Sequence, residues 1–125
     1  MKIGIITAMS SEHKQVAQLL NNKKEHTEGI YSYTEGCIGN NTIILTQCGI
    51  GKVNAAAGAV ELIRGFQPDC IISTGVAGGI DKCLKVMDVV ASKQIVYHDV
   101  WCGEGNAYGQ VQGLPTYFKG NGTLF

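Results

Sequence analysis

The sequence lacks an excess of charge of either sign, and this limits its partners. Ten Lys and Arg side chains balance ten Asp and Glu side chains, so the formal net charge is zero. A protein that binds nucleic acid or an anionic membrane surface is expected to carry a cluster of basic residues. The composition therefore argues against nucleic acid as a partner and favours a small molecule or another protein.

Long apolar runs are also missing. No run approaches the roughly 20 residues that a membrane-spanning helix requires. The first residues, Met1-Lys2-Ile3-Gly4, are typical of a β-strand and not of a secretion signal. We therefore expect no membrane contact and a cytoplasmic location.

Closely spaced cysteine pairs are absent as well. The five cysteines are scattered through the chain without a Cys-x-x-Cys motif, at positions 37, 48, 70, 83 and 102. Structural zinc ligands usually come in close pairs, so the pattern predicts reduced thiols and no metal site. His13 and His26 are isolated histidines, and we expect both to be solvated.

The sequence does contain a succession of strand and helix patterns. At 125 residues the chain is long enough for one domain, or part of one, but short for a complete doubly wound enzyme. Residues 2–9 are nearly all apolar, which predicts a strand buried on both faces. Ser10 or Ser11 is then expected to cap a helix that ends at Asn21 and Asn22. The predicted apolar stripe of this helix consists of Val16, Leu19 and Leu20.

The middle of the chain predicts a hairpin followed by a second helix. Residues 31–34 and 42–47 are typical of strands joined by a glycine turn, which gives a mixed sheet. Residues 53–64 follow helical spacing, and the helix is expected to end at Gly65 and Pro68. The predicted buried face of this helix consists of Val53, Ala56, Ala57, Val60 and Ile63.

After this helix the sequence predicts further strands and then a long loop. Residues 69–74 predict another strand, residues 86–97 predict one or two more, and the glycine-rich stretch from residue 103 predicts a long loop. Strands that alternate with helices indicate an α/β fold with a mixed central sheet flanked by helices. We expect this domain to be incomplete within 125 residues.

Two glycine-rich segments follow predicted strands. Residues 74–79 (TGVAGG) come after the apolar residues 70–72, and residues 49–51 (GIG) come after the apolar residues 43–45. Ligands of open α/β sheets bind at the carboxyl ends of strands, and glycine leaves room for a ligand beside the backbone. The two segments therefore suggest one binding cleft.

The segment that begins at Gly49 does not match a nucleotide-binding motif. Asn54 replaces the third glycine of a dinucleotide fingerprint, and the segment does not follow the first strand. A P-loop fails because Thr46 and Val53 occupy positions that require glycine and Ser or Thr. An anion or hydroxyl site at a helix N-terminus and a plain strand-to-helix turn both stay open.

Glu12 and the pair His98-Asp99 each have alternative interpretations. Glu12 lies in the first turn of a predicted helix, where a carboxylate can stabilise the helix dipole or take part in catalysis near the sheet edge. His98 and Asp99 can be a base with its orienting carboxylate, half of a metal site, or a polar strand end. Spacing alone does not decide between these roles.

Five segments occur in an order that is found in a known family. They are KIGIITAM-SSE, CGIGKVNAA, PDCIISTGVAGG, VMDVV and YHD. In this order and spacing the chain resembles the amino-terminal half of the 5′-methylthioadenosine/S-adenosylhomocysteine nucleosidases, within the purine nucleoside phosphorylase superfamily. The resemblance implies hydrolysis of an N-glycosidic bond to release adenine, without a cofactor, as a step of methionine salvage. It also implies a homodimer, in which the loop of residues 101–115 covers the neighbour's active site.

The resemblance also implies roles for individual residues. Glu12 corresponds to the glutamate that holds and activates the attacking water. Ala8 and Met9 correspond to residues on the water and ribose side, and Ile50 corresponds to a residue beside the alkylthio pocket. The segment whose backbone is expected to lie along the purine and ribose consists of Val76, Ala77 and Gly78.

Some features depart from the family pattern. Val76 stands where some members carry serine, and Gln112 stands where a pocket-lining proline is expected. The family's Glu-Met-Glu segment, which grips the ribose, and its Ser-Asp segment, which protonates adenine, do not occur in the 125 residues. Because these segments supply the general acid and half of the ribose clamp, we expect the 125 residues alone to hydrolyse substrate very poorly.

Two rival functions stay open on the sequence. A phosphate-dependent purine nucleoside phosphorylase shares the glycine turns, but it must hold a phosphate dianion, ideally with arginines. The only arginine, Arg64, is expected at the far end of its helix from residues 49–51. The other rival is a non-catalytic nucleoside-binding remnant.

Overall fold

The chain forms two compact units, Met1–Gly78 and Gly79–Phe125. A computed structural model describes residues 1–120 and 122, so residues 121 and 123–125 of the predicted 1–125 domain lie outside the described part. The elements of the first unit are β1 (Lys2–Thr7), α1 (Ser10–Gln18), β2 (Asn21–Glu28), β3 (Tyr31–Ile38), β4 (Asn41–Gln47), α2 (Lys52–Phe66) and β5 (Cys70–Ser73). The second unit contains the antiparallel strands β6 (Gln94–Ile95) and β7 (Phe118–Lys119).

The five strands of the first unit form one mixed sheet in the order β2-β3-β4-β1-β5. β1 is parallel to β4 on one side and to β5 on the other. β2, β3 and β4 are joined as antiparallel neighbours. The predicted mixed central sheet is confirmed, and so is the predicted hairpin of β3 and β4.

The two helices cover opposite faces of this sheet. Successive side chains of a strand point to opposite faces, so β1 contributes Ile5 to one core and Ile6 to the other. The buried core on the α1 side consists of Ile5, Leu20, Ile43 and Leu45. The buried core on the α2 side consists of Ile6, Tyr33, Ile44 and Leu62. The apolar run of β1 is therefore buried on both faces, as predicted.

The start of α1 differs from its prediction. Met9, in an extended conformation, is the N-cap residue, so the expectation of a serine cap is wrong. The side chain of Glu12 supplies the capping contact instead, because it accepts a hydrogen bond from the Met9 N–H. Leu20 is buried as expected, but Leu19 is 66% exposed and does not belong to the buried stripe.

The strand β2 was not predicted from the sequence. It begins at Asn21, where the sequence pattern predicted only the end of a helix. β2 lies at the edge of the sheet and is largely exposed, and β3 is its only partner strand among the described residues. An exposed edge strand is commonly polar, so it lacks the apolar alternation that identifies a strand.

The helix α2 buries a different face from the predicted one. Three residues of the predicted face are largely exposed, namely Val53 (83%), Val60 (51%) and Ile63 (50%). The face toward the sheet carries the buried residues Gly58 and Leu62. A Cβ on Gly58 would lie 2.5 Å from the Cβ of Cys48, so the helix can approach the sheet closely only because this residue is glycine. The predicted face and the observed buried face both have helical spacing. Periodicity alone therefore predicts the helix but not which of its faces is buried.

The predictions after α2 are only partly correct. The helix passes Gly65 and ends at Phe66, and its C-cap residue Gln67 has a left-handed φ of 47°. β5 confirms the strand predicted at residues 69–74. Within residues 86–97, however, only Gln94–Ile95 is a strand, because the apolar residues before it are exposed and pair with no neighbour in the described part of the chain. No helix among the described residues has the length and apolar character to cross a membrane.

Candidate active site at the carboxyl edge of the sheet

Three parallel strands bring three loops to one edge of the sheet. β4, β1 and β5 are adjacent and parallel, so the loops that follow them start side by side. The Cys48 N–H donates to the Thr7 carbonyl over 2.9 Å, and the Thr74 N–H donates to the Ile6 carbonyl over 3.1 Å. These bonds tie the loops after β4 and β5 to β1. In α/β proteins this edge is the one that binds ligands.

Glu12 lies at this edge, and backbone groups hold its carboxylate. The residue is only 9% exposed. The N–H groups of Ala8 and Met9 donate to Oε2 over 3.1 and 3.0 Å. The Val76 N–H donates to Oε1 over 2.9 Å. Since the first two donors precede α1 and the third follows β5, the carboxylate links two of the three loops.

These hydrogen bonds also favour the ionised form of Glu12. The bond from Val76, followed by the bond from Met9, lowers the pKa of the Glu12 carboxyl below its ordinary value, whereas burial acts in the opposite direction. A carboxylate has about four acceptor positions. The described residues fill three of them, and only one of these is on Oε1. Oε1 can therefore accept a further hydrogen bond, for example from a water molecule.

The loop after β4 depends on two glycines with left-handed backbone angles. Gly49 and Gly51 have φ values of 93° and 100°, in a region that favours glycine. The side chain of Asn54 donates to the Ile50 carbonyl over 2.8 Å and fixes the turn. A Cβ on Gly49 would lie 3.2 Å from the donating nitrogen. Asn54, which breaks the dinucleotide fingerprint, thus has a structural role in this turn.

The residues predicted to line a substrate lie on these same loops. Three of them meet the Glu12 carboxylate through their backbone, namely Ala8, Met9 and Val76. Ala77 and Gly78 follow on the loop after β5 and are exposed. The side chains of Ile50 and Val76 are also exposed, at 72% and 81%. The edge around Glu12 therefore offers apolar surface beside a fixed carboxylate.

His98 and Asp99 belong to the second unit. The Nδ1 of His98 lies 3.9 Å from Oδ1 of Asp99, and the histidine side chain is 86% exposed. The hydroxyl of Tyr108 donates to the His98 carbonyl over 2.7 Å. No group of three or more metal-binding side chains occurs in residues 1–120 and 122, so the structure does not complete a metal site around this pair there.

The expectation that His13 is solvated is wrong. Its side chain is partly buried, and its Nε2 lies 3.2 Å from Oγ1 of Thr34. Burial lowers the pKa of the imidazole, with the charge of Glu25 acting in the opposite direction. The histidine therefore fixes α1 against β3. No local sequence pattern indicates this contact, because His13 and Thr34 belong to elements that are separated along the chain.

Comparison with protein families identifies the chain. The model of the phosphorylase superfamily matches residues 2–124. The chain belongs to this superfamily. Every candidate site residue described above lies within the matched range.

Curated relatives of this superfamily chain include nucleosidases. It is 43% identical to the 5′-methylthioadenosine/S-adenosylhomocysteine nucleosidase of Actinobacillus succinogenes, over 99% of this chain and 54% of the relative. It is 42% identical to the enzyme of the same name from Exiguobacterium sp., with the same coverages. The predicted resemblance is confirmed, and the chain spans about half the length of the curated relatives it matches.

Solved structures give the same result for the fold. The nucleosidase from Streptococcus pneumoniae with the transition-state inhibitor MT-ImmA matches with a TM-score of 0.92 at 40% identity. The nucleosidase from Neisseria meningitidis in complex with methylthio-immucillin-A matches with a TM-score of 0.90 at 40% identity. Both matches cover 98% of this chain and 54% of the other. The predicted nucleoside phosphorylase-like fold is confirmed over about half of these neighbours.

Proposed function

We propose that the full-length protein hydrolyses the N-glycosidic bond of 5′-methylthioadenosine and S-adenosylhomocysteine, releasing adenine. Residues 1–125 form part of its single nucleosidase domain. The observation that carries this proposal is the Glu12 carboxylate, fixed by three backbone N–H groups at the carboxyl edge of the sheet. The names of the relatives, and the methylthio inhibitor in a similar structure, support the same substrate class. A cytoplasmic role in methionine salvage belongs to the same proposal.

Glu12 acts on water in this mechanism. Cleavage of a glycosidic bond passes through an oxocarbenium-like transition state, so positive charge develops on the ribose. An ionised carboxylate stabilises that charge, and Oε1 orients a water molecule toward the ribose carbon. Because its hydrogen bonds lower the pKa of Glu12 below its ordinary value, Glu12 is a weaker base than a free glutamate carboxylate. It takes the proton only after the water oxygen has bonded to carbon and become acidic.

Other residues of the carboxyl edge bind the nucleoside. Ala8 and Met9 lie on the water and ribose side, and Ile50 lies beside the alkylthio group. The exposed loop of Val76, Ala77 and Gly78 lies along the purine and ribose. We expect the general acid that protonates adenine to come from a Ser-Asp segment of the full-length protein, which the 125 residues do not contain.

A phosphorylase would require a phosphate dianion at the same edge. Arg64, the only arginine of the sequence, lies in the last turn of α2, and residues 49–51 lie before its first turn. A helix of this length spans about 20 Å. Arg64 is exposed and lies 3.9 Å from Glu61 of the same helix. The residues of this chain therefore favour water over phosphate as the nucleophile.

Phosphate dependence tests the proposed function. We expect the full-length protein to release adenine from 5′-methylthioadenosine in phosphate-free buffer, at a rate that added phosphate does not increase. The same preparation carrying Glu12→Gln controls for contaminating enzymes. A rate that is negligible without phosphate and restored by phosphate would contradict hydrolysis. Binding of the nucleoside without adenine release under either condition would favour a non-catalytic module.

A homodimer belongs to the same proposal. The exposed apolar face of α2 carries Val53, Val60 and Ile63. Isolated surface apolar residues are common, but a row of them along one helix is typical of an interface. We expect the dimer to cover this face, or the loop that begins at Trp101.

Placing charge on the exposed face of α2 tests the proposed interface. Since Val60 and Ile63 are about half exposed, replacing both with lysine should leave the core intact while it places charge on the apolar face. We expect light scattering of the full-length protein to change from dimer to monomer. Ile30→Lys is the control, because Ile30 is 89% exposed on the hairpin between β2 and β3. A wild-type protein that is monomeric at micromolar concentration would contradict the proposed dimer.

A further inference from the structure

Gly75 packs directly against the Glu12 carboxylate. A Cβ on Gly75 would lie 2.5 Å from Oε1, 2.9 Å from Cδ and 3.2 Å from Oε2 of Glu12. The first two separations are shorter than real Cβ atoms show, so no larger residue fits while the carboxylate keeps its position. The φ of Gly75 lies outside the left-handed region, so its backbone conformation does not require glycine.

The neighbouring glycine Gly78 provides a comparison on the same loop. A Cβ there would meet no atom of residues 1–120 and 122 within 4 Å, and its φ also lies outside the left-handed region. Alanine should therefore be accommodated at Gly78 and not at Gly75. The restriction at Gly75 comes first from Glu12, since the three nearest atoms to such a Cβ all belong to that side chain.

The peptide between Gly75 and Val76 fixes one oxygen of the carboxylate. The Val76 N–H donates to Oε1 over 2.9 Å, while the Ala8 and Met9 N–H groups hold Oε2 from the other side. The absence of a side chain at Gly75 lets this peptide lie against the carboxylate. The direction of Oε1 is thus set from a loop that lies more than 60 residues away along the chain.

We propose that Gly75 is a positioning residue for Glu12, which sets the orientation of Oε1 and hence of the water that Oε1 holds. The catalytic consequence rests on the proposed hydrolytic function. The packing of Gly75 against Glu12 does not depend on that function. An alanine at position 75 must displace either the carboxylate or the loop after β5. A displacement of about 1 Å in a catalytic group can lower the rate by roughly 10²-fold.

The experiment compares Gly75→Ala with Gly78→Ala in the full-length protein. The Glu12 carboxyl is titrated by NMR with ¹³C-labelled glutamate. We expect its titration midpoint to rise toward the ordinary glutamate value in Gly75→Ala, because the bond from Val76 is lost or lengthened. It should stay at the wild-type position in Gly78→Ala. An unchanged midpoint in Gly75→Ala, or an equal rise in both variants, would overturn the proposal.

A double-mutant cycle keeps the test valid if Gly75→Ala is poorly folded. The urea midpoint is measured for the wild type, Gly75→Ala, Glu12→Ala and the double variant. We expect Gly75→Ala to lower the midpoint in the wild-type background and to have little effect in the Glu12→Ala background, where the clash is gone. Equal losses in both backgrounds would show that alanine is excluded for another reason.

Kinetics separate this proposal from the proposed function. We expect Gly75→Ala to lower kcat for adenine release by about 10²-fold with little change in KM. If Glu12→Gln keeps full activity, the hydrolytic mechanism fails, but the NMR titration and the cycle still decide whether Gly75 positions Glu12. If Glu12→Gln is inactive and Gly75→Ala keeps the wild-type kcat, the positioning role fails and the mechanism stands.

Discussion

Replacing Glu12 with glutamine in the full-length protein should lower kcat for adenine release by about 10²–10⁴-fold. Glutamine keeps the size of the side chain but removes the charge that stabilises the ribose cation and the oxygen that takes the water proton. In the wild type, backbone N–H groups donate to both carboxylate oxygens of Glu12. Glutamine replaces one of these oxygens with an amide NH₂ group, which cannot accept a hydrogen bond from them. Steady-state kinetics with 5′-methylthioadenosine measure the effect, and KM should change little.

The matched control for this prediction is Glu28→Gln. Glu28 is exposed at the end of the edge strand β2, so the same change in charge should leave kcat within a few fold. Because Glu12→Gln also removes capping contacts of α1, the kinetics are measured below the unfolding transition of both variants. If Glu12→Gln keeps kcat within a few fold of the wild type, the carboxylate only stabilises the helix and its catalytic role is wrong.

Replacing Leu62 with alanine should lower the free energy of unfolding by about 2–5 kcal/mol. Leu62 is fully buried on the inner face of α2 and belongs to the core with Ile6 and Ile44. It fills the space above Gly4 of β1, where a Cβ would lie 2.6 Å from its Cδ2. Alanine leaves a cavity between α2 and the sheet. Urea unfolding followed by circular dichroism measures the loss.

The control for the core prediction is Ile30→Ala, which removes a branched aliphatic side chain that is 89% exposed. It should change the free energy of unfolding by no more than about 0.5 kcal/mol. A loss below about 1 kcal/mol for Leu62→Ala would contradict the assignment of the inner face of α2, since cavity-forming substitutions in a core exceed that value.

Sequence patterns predict the central elements of this fold because their signals are local. The apolar run of β1, the hairpin of β3 and β4, and the periodicity of α2 each depend on neighbouring residues. The prediction of the inner face of α2 was wrong because both candidate faces have helical spacing. The choice between them depends on the fit of Gly58 against Cys48, which lies outside the helix. β2 was missed because an edge strand does not need apolar side chains.

The candidate site could be predicted only in part for the same reason. The position of Glu12 after β1 follows from strand and helix order, and the resemblance to the nucleosidases suggests its role. The donor from Val76 and the packing of Gly75 arise from the parallel pairing of β1 with β5. No local pattern contains this pairing. The glycine segment could therefore be interpreted as room for a ligand, but not as room for the carboxylate of Glu12.

The central claim is that a water molecule directed by Glu12 attacks the ribose. The most direct test identifies the sugar product when the full-length protein acts on 5′-methylthioadenosine with phosphate present, so that both nucleophiles are available. Mass spectrometry should show free methylthioribose, formed in equal amount to adenine and lost together with it in Glu12→Gln. Formation of methylthioribose 1-phosphate as the main product would contradict the account.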